Sequence, residues 1–202
     1  MKDYTEIVVI VDRSGSMEVI REDSIGGFNA FVEDQKKVPG AANLTLVLFN
    51  NKYKFVLDSV PLGMVKPLDK STYVPMGTTA LLDAMGHTID SVGDRLFMMN
   101  EADRPSKVIV AILTDGLENA SLDYSRERIF EMVSHQREVY KWEFFFLAAN
   151  QDAIQSGTSY GIPAAATSNF VADAEGTRSA YGAMSSSVKS ARTGGKKWQS
   201  PS

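Results

Sequence analysis

Ile7-Val8-Val9-Ile10-Val11-Asp12-Arg13-Ser14-Gly15-Ser16 is a run of apolar β-branched residues that breaks directly into a D-x-S-x-S pattern. A short continuous apolar run bounded by turn formers reads as a strand buried on both faces, the mark of a parallel sheet. The pattern behind it puts one carboxylate and two hydroxyls where the strand ends and the chain turns. Oxygen ligands on a tight loop suit a hard divalent cation such as Mg²⁺.

Leu44 to Phe49, Val108 to Leu113 and Phe144 to Ala149 are further runs of the same kind. Between them lie amphipathic segments, Ile25 to Lys37, Thr79 to Leu96, Asp123 to Tyr140 and Gln151 to Tyr160, that read as helices. Strands alternating with helices predict an α/β fold: a doubly wound, Rossmann-like open sheet, mostly parallel, in the order 3-2-1-4-5-6 with helices on both faces. One connection departs from the alternation. Only Asn50-Asn51 separates Leu44 to Phe49 from Lys52 to Leu57, which predicts a two-residue hairpin with positive φ at asparagine and hence one antiparallel strand. Lys52 and Lys54 alternating with Tyr53 and Phe55 suit a sheet edge. After it, Pro61, Gly63, Pro67, Pro75 and Gly77 mark a loop of about 20 residues, a length that is usually functional or disordered. Asn169 to Ala172 is expected as a last edge strand and Glu175 to Arg192 as a closing helix. Residues 1–192 are expected to form one domain and 193–202 a frayed tail.

Composition narrows the chemistry. The 202 residues carry a formal net charge of −4, without the basic footprint that nucleic acid or an anionic membrane attracts. There is no cysteine, which excludes disulfides, thiolate metal sites and a thiol nucleophile. Two histidines, His87 and His135, leave little for an imidazole centre and read as ordinary helix residues. The apolar runs fall far below the roughly 18 to 20 residues of a membrane span. Ile7 to Val11 is shorter than the about 7 to 15 residues of a signal-peptide core, so a cytoplasmic location is expected.

Leu113-Thr114-Asp115-Gly116 ends another buried run, as Asp12 does the first. In the 3-2-1-4-5-6 order the topological switch point lies between these strands, and right-handed crossovers bring Asp12 and Asp115 to the same sheet edge. The long loop, ending Gly77-Thr78-Thr79, can add a hydroxyl there.

With these residues the chain resembles the von Willebrand factor A domain family over about residues 4 to 190. Its metal-ion-dependent adhesion site combines D-x-S-x-S, a threonine from a later loop and a strand-end aspartate. Asp12, Ser14 and Ser16 match the first element and Thr114-Asp115-Gly116 the last. Gly77-Thr78-Thr79-Ala80-Leu81 departs at Thr78 from the usual Gly-Gly-Thr, with Thr79 favoured as the ligand. Phe146-Leu147-Ala148-Ala149-Asn150-Gln151-Asp152-Ala153-Ile154 is similar to stand-alone bacterial and phage members. The resemblance implies Mg²⁺ or Mn²⁺ held by Asp12, Ser14, Ser16, Thr79 and Asp115, the hydroxyls directly and the aspartates often through water. It also implies a protein partner presenting Glu or Asp, with AAA+ ATPases or stress-response proteins as partner classes, and no enzymatic activity.

Arg13, Thr78, Glu118 and Asn119 are candidates for the partner-binding rim, and Asp83 for a solvated or supporting role. Met98-Met99 reads as core packing. Two other functions stand beside the adhesion reading. A Mg²⁺-dependent phosphohydrolase of the haloacid dehalogenase type would need a second aspartate where Ser14 stands. A metal-independent scaffold would bind through Lys52 to Leu57 or the loop 60–77.

Overall fold

The computed structural model describes residues 2–149 and 152–194. Among the described residues six strands form one sheet: β1 (Lys2–Asp12), β2 (Ala41–Phe49), β3 (Tyr53–Pro61), β4 (Pro105–Thr114), β5 (Glu143–Ala149) and β6 (Thr167–Phe170). Their order is β3-β2-β1-β4-β5-β6, with β2–β3 the one antiparallel pair. This is the expected 3-2-1-4-5-6 sheet. Ile7 to Val11 lies at its centre, each residue no more than 1% exposed, because β1 is flanked by β2 and β4 and covered on both faces.

Side-chain alternation along β1 divides the core. Ile7, Val9 and Val11 pack under α1 (Arg21–Lys36) and α5 (Ala174–Thr193), and Val8 and Ile10 under α2 (Leu81–Met98) and α3 (Arg126–Val139). Helix α4 (Ala153–Ser159) closes the β5–β6 end. Ser125, Asp152 and Asp173 cap α3, α4 and α5 by accepting from backbone N–H groups in the first turn.

Several sequence expectations need correction. Helix α1 begins at Arg21 rather than Ile25, continuing a 3₁₀ turn over Gly15–Ile20. It runs through Gly26-Gly27, and Gly27 lets α5 pack close, since a Cβ there would stand 2.3 Å from the Tyr181 ring. The hairpin loop holds Asn50, Asn51 and Lys52, since Phe49 pairs with Tyr53. Neither asparagine has positive φ; Asn50 closes the loop through its backbone N–H to the Lys52 carbonyl and its Oδ1 from the Lys52 N–H. The long loop is packed: Leu62, Val65, Leu68 and Tyr73 are buried, and Asn29 of α1 pairs with both backbone groups of Leu68. The last strand lies at Thr167–Phe170, two residues before its expected start, where it pairs with Phe146–Ala149. Met98 is 84% exposed rather than in the core, while Met99 packs against it. Helix α5 extends to Thr193, and Gly194 ends it in the left-handed conformation. Asn150-Gln151 and most of the expected tail, including Lys196, Lys197 and Trp198, lie outside the described residues.

At the N-terminal end of β1, opposite the strand end that carries Asp12, the Glu6 carboxylate is fully buried. It accepts from Thr45 Oγ1 at 2.7 Å, Ser59 Oγ at 2.7 Å and Arg95 Nη2 at 3.1 Å. In the sequence Glu6 reads only as a charge near the N-terminus.

Candidate metal centre at the sheet's C-terminal edge

Asp12 is the last residue of β1 and fully buried. Its Oδ1 accepts from the Ser14 N–H at 2.6 Å and its Oδ2 from Thr114 Oγ1 at 2.6 Å. Thr114 ends β4, so the switch point itself orients the carboxylate across two neighbouring strands. Ser16 Oγ donates to Asp115 Oδ1 at 2.7 Å. Ser14 Oγ and Ser16 Oγ stand 3.1 Å apart, in hydrogen-bonding contact. Thr79 is 3% exposed, and its Oγ1 lies 3.1 Å from the point a Cβ on Gly116 would occupy, with Ser16 Oγ 3.8 Å from the same point. Asp12, Ser14, Ser16, Thr79 and Asp115 are thus assembled from three segments.

Backbone bonds lock these segments. The Gly15 N–H donates to the Gly77 carbonyl at 3.0 Å and the Met76 N–H to the Arg13 carbonyl at 2.8 Å. Gly77 has φ +75°, and a Cβ there would lie 2.7 Å from Asn51 Oδ1, so this position demands glycine. Thr78 is exposed and outside the positive-φ region, so the departure from Gly-Gly-Thr carries no backbone strain. Asn50 joins the hairpin to this loop: its carbonyl accepts from the Ala80 N–H and its Nδ2 donates to the Met76 carbonyl. Tyr73, buried, donates its hydroxyl to the Asp12 carbonyl at 2.6 Å.

Two expected rim residues have a different occupation. Helix α2 starts after Ala80, which offers no side-chain cap, and the loop after Asp115 supplies one instead. Glu118 accepts from the N–H groups of Leu82, Ala120 and Ser121; Asn119 Oδ1 accepts from the Thr79 N–H, and Ser121 Oγ from the Asp83 N–H. Asp83 returns the contact, accepting from the N–H groups of Leu122, Asp123 and Tyr124. Glu118, Asn119 and Asp83 therefore hold the Thr79 and Asp115 segments together. Replacing Glu118 by Ala should cost about 1–3 kcal/mol in urea unfolding, since it strands the Leu82 N–H at the start of α2 and the loop N–H groups of Ala120 and Ser121; a loss below about 0.5 kcal/mol would contradict the cap.

Burial pushes the Asp12 carboxyl up to about 6, against the lowering effect of its bonds from Thr114 and Ser14. Burial raises Asp115 as well, against the bond from Ser16. Among the described residues there is no group of three or more His, Cys, Asp and Glu side chains suited to a metal. A cation held here would rest on hydroxyls and two carboxylates, a donor set that fits a hard dication. The bonds that Thr114, Tyr73 and Asn50 make here depend on contacts between distant segments, so they are not legible in the sequence.

An open α/β sheet with a hydroxyl-and-carboxylate cluster at its switch point defines the class. No protein-family model matches the sequence, and no curated protein does. The likeness lies in structure. Proximal thread matrix protein 1 from the mussel byssus, with a zinc-occupied MIDAS motif, aligns with a TM-score of 0.64 at 14% identity, over 94% of this chain and 46% of that one. A von Willebrand factor type A protein from Catenulispora acidiphila aligns at 0.59 and 14% identity, over 94% and 43%. The manganese-loaded TRAP protein of Plasmodium vivax aligns at 0.50 and 20% identity, over 72% and 57%. The chain has the von Willebrand factor type A fold and spans about half the length of these proteins. No helix among the described residues is long and apolar enough to cross a membrane.

Proposed function

We propose that the protein is a metal-dependent protein-binding module. Ser14, Ser16 and Thr79 would supply hydroxyl oxygens to Mg²⁺ or Mn²⁺, with Asp12 and Asp115 beside them, directly or through water. Such a cation supplies a strong Lewis-acid contact for an anionic oxygen, because neutral hydroxyls leave its charge largely uncompensated. A Glu or Asp carboxylate of a partner protein is the matching group. The observation that carries this reading is the hydrogen-bonded series Asp115–Ser16–Ser14, closed by Thr79 and oriented through Asp12 and Thr114. Zinc and manganese in two proteins of the same fold support a divalent cation at this edge.

The partner classes put forward by the family resemblance are AAA+ ATPases and stress-response proteins, in a cytoplasmic setting and without nucleic acid or membrane. The same reading assigns no catalysis. Two residues after Asp12, where a phosphohydrolase of the dehalogenase type needs an acid, stands Ser14. His87 stacks on Tyr53 at 4.4 Å and bonds Asp123, and His135 packs on Tyr140.

Calorimetric titration with Mn²⁺ tests the assignment of ligands. Wild type and Thr78→Ala should bind alike, Thr79→Ala about ten-fold more weakly, and EDTA should abolish binding. Equal affinity of Thr78→Ala and Thr79→Ala would remove Thr79 from the site.

A further inference from the structure

The segments that build the site also carry large apolar side chains held out in solvent: Val19 is 86% exposed, Met76 55%, Leu117 61% and, further along the loop of Leu117, Leu122 93%. Isolated exposed apolar residues are ordinary. These are borne by backbone tied down within the site's own segments, Leu122 through its N–H to Asp83. Val19 sits in the 3₁₀ turn that starts from Ser14 and buries Met17 and Ile20 instead. The Met76 N–H is bonded to the Arg13 carbonyl. Leu117 lies between Gly116, which abuts Thr79 and Ser16, and Glu118, which is held by four donors.

The polar residues of the same loops are spent internally: Asp12, Glu118, Asn119 and Asp83 all accept from donors of this chain. Among the described residues Arg13 and the exposed Thr78 stand apart from these. For Arg13 the buried Nε makes this plain. Its backbone is fixed by the Phe49 carbonyl and the Met76 N–H, yet its Nε is buried without a hydrogen-bond partner. Among the described residues its guanidinium forms no ion pair. Among the described residues, the groups these loops leave at the surface therefore include the half-buried Arg13 cation, the Thr78 hydroxyl and several apolar side chains, here called the apolar collar.

We propose that this surface receives a partner segment in which a Glu or Asp stands next to a large apolar residue. The carboxylate meets Arg13 beside the metal position, and the apolar neighbour lies on Val19, Met76 and Leu117. The proposal rests on the metal-dependent reading above and specifies its partner. An acidic segment with polar neighbours would leave the collar in water and gain only the carboxylate contact.

The probes are two fluorescent peptides of equal length and charge, one with a Leu-Glu-Phe centre and one with a Ser-Glu-Ser centre, titrated by anisotropy against the Mn²⁺-loaded protein. The Leu-Glu-Phe peptide should bind about ten-fold tighter, the low end of what burying one large apolar side chain supplies. The double variant Met76→Ser, Leu117→Ser, altered only at exposed positions, should lose that preference while its calorimetric Mn²⁺ affinity stays unchanged. Arg13→Gln should weaken both peptides alike. Equal affinity of the two peptides with Mn²⁺ bound would overturn the collar and leave the metal reading standing. So would failure of both to bind below about 1 mM, a free energy of only about 4 kcal/mol. Absence of Mn²⁺ binding itself would overturn both.

Discussion

In an Asp12→Ala protein, Mn²⁺ should no longer raise the melting temperature. Ligand present at a hundred times its dissociation constant stabilises the native state by about 2.7 kcal/mol, which in a domain of this size corresponds to a shift of roughly 5–10 °C. Wild type should show that shift, and EDTA should reverse it. Asp12 is chosen because its carboxylate organises the site twice over, through the Ser14 N–H and through Thr114 Oγ1. Its removal takes away charge and orientation together. The variant should still fold: losing two hydrogen bonds is partly offset by no longer burying a carboxyl that the interior disfavours. A companion Asp12→Asn, which keeps the shape, should also lose most of the shift. A full metal-induced shift in Asp12→Ala would refute the site.

The second large effect lies at the opposite end of the same strand. Arg95→Leu should destabilise the protein by about 3–5 kcal/mol, the usual cost of leaving one member of a buried ion pair alone. Glu6 would keep its bonds from Thr45 and Ser59 but lose its cation, and Asp58, 3.3 Å from Arg95 Nη1, would lose its contact too. Urea unfolding measures this. Its control is Mn²⁺ affinity, expected to be unchanged because six residues of extended chain put Asp12 about 20 Å from Glu6. Adding Glu6→Leu should recover part of the loss, since an apolar pair needs no desolvation. A loss under about 1 kcal/mol would show that the hydroxyls alone satisfy the carboxylate.

The contrast between the two ends of β1 shows what can be read from a linear sequence. Asp12, Ser14, Ser16, Thr79 and Asp115 stand out because each follows an apolar run or precedes a helix, so spacing along the chain already implies a place at the sheet edge. Glu6 and Arg95 stand in no such context. Their pairing spans 89 positions and exists only because β1, β2 and α2 pack together. The hairpin shows the same limit on a smaller scale: Asn50-Asn51 announced a reversal, but whether two or three residues made it depended on the register of Phe49 against Tyr53.

Sequence alone determined the order of strands, their directions and the identity of the oxygen-bearing residues at the edge. It could do so because buried strands must be apolar on both faces and turn chemistry must follow them. Tertiary structure decided which polar residues are available to another molecule. Glu118 and Asn119 look like free rim residues in one dimension, yet they are consumed in capping α2, because Ala80 cannot cap it and unpaired helix-end donors must find acceptors elsewhere. Among the described residues, what that leaves at the surface in these loops includes the half-buried Arg13, Thr78 and the apolar side chains of Val19, Met76, Leu117 and Leu122.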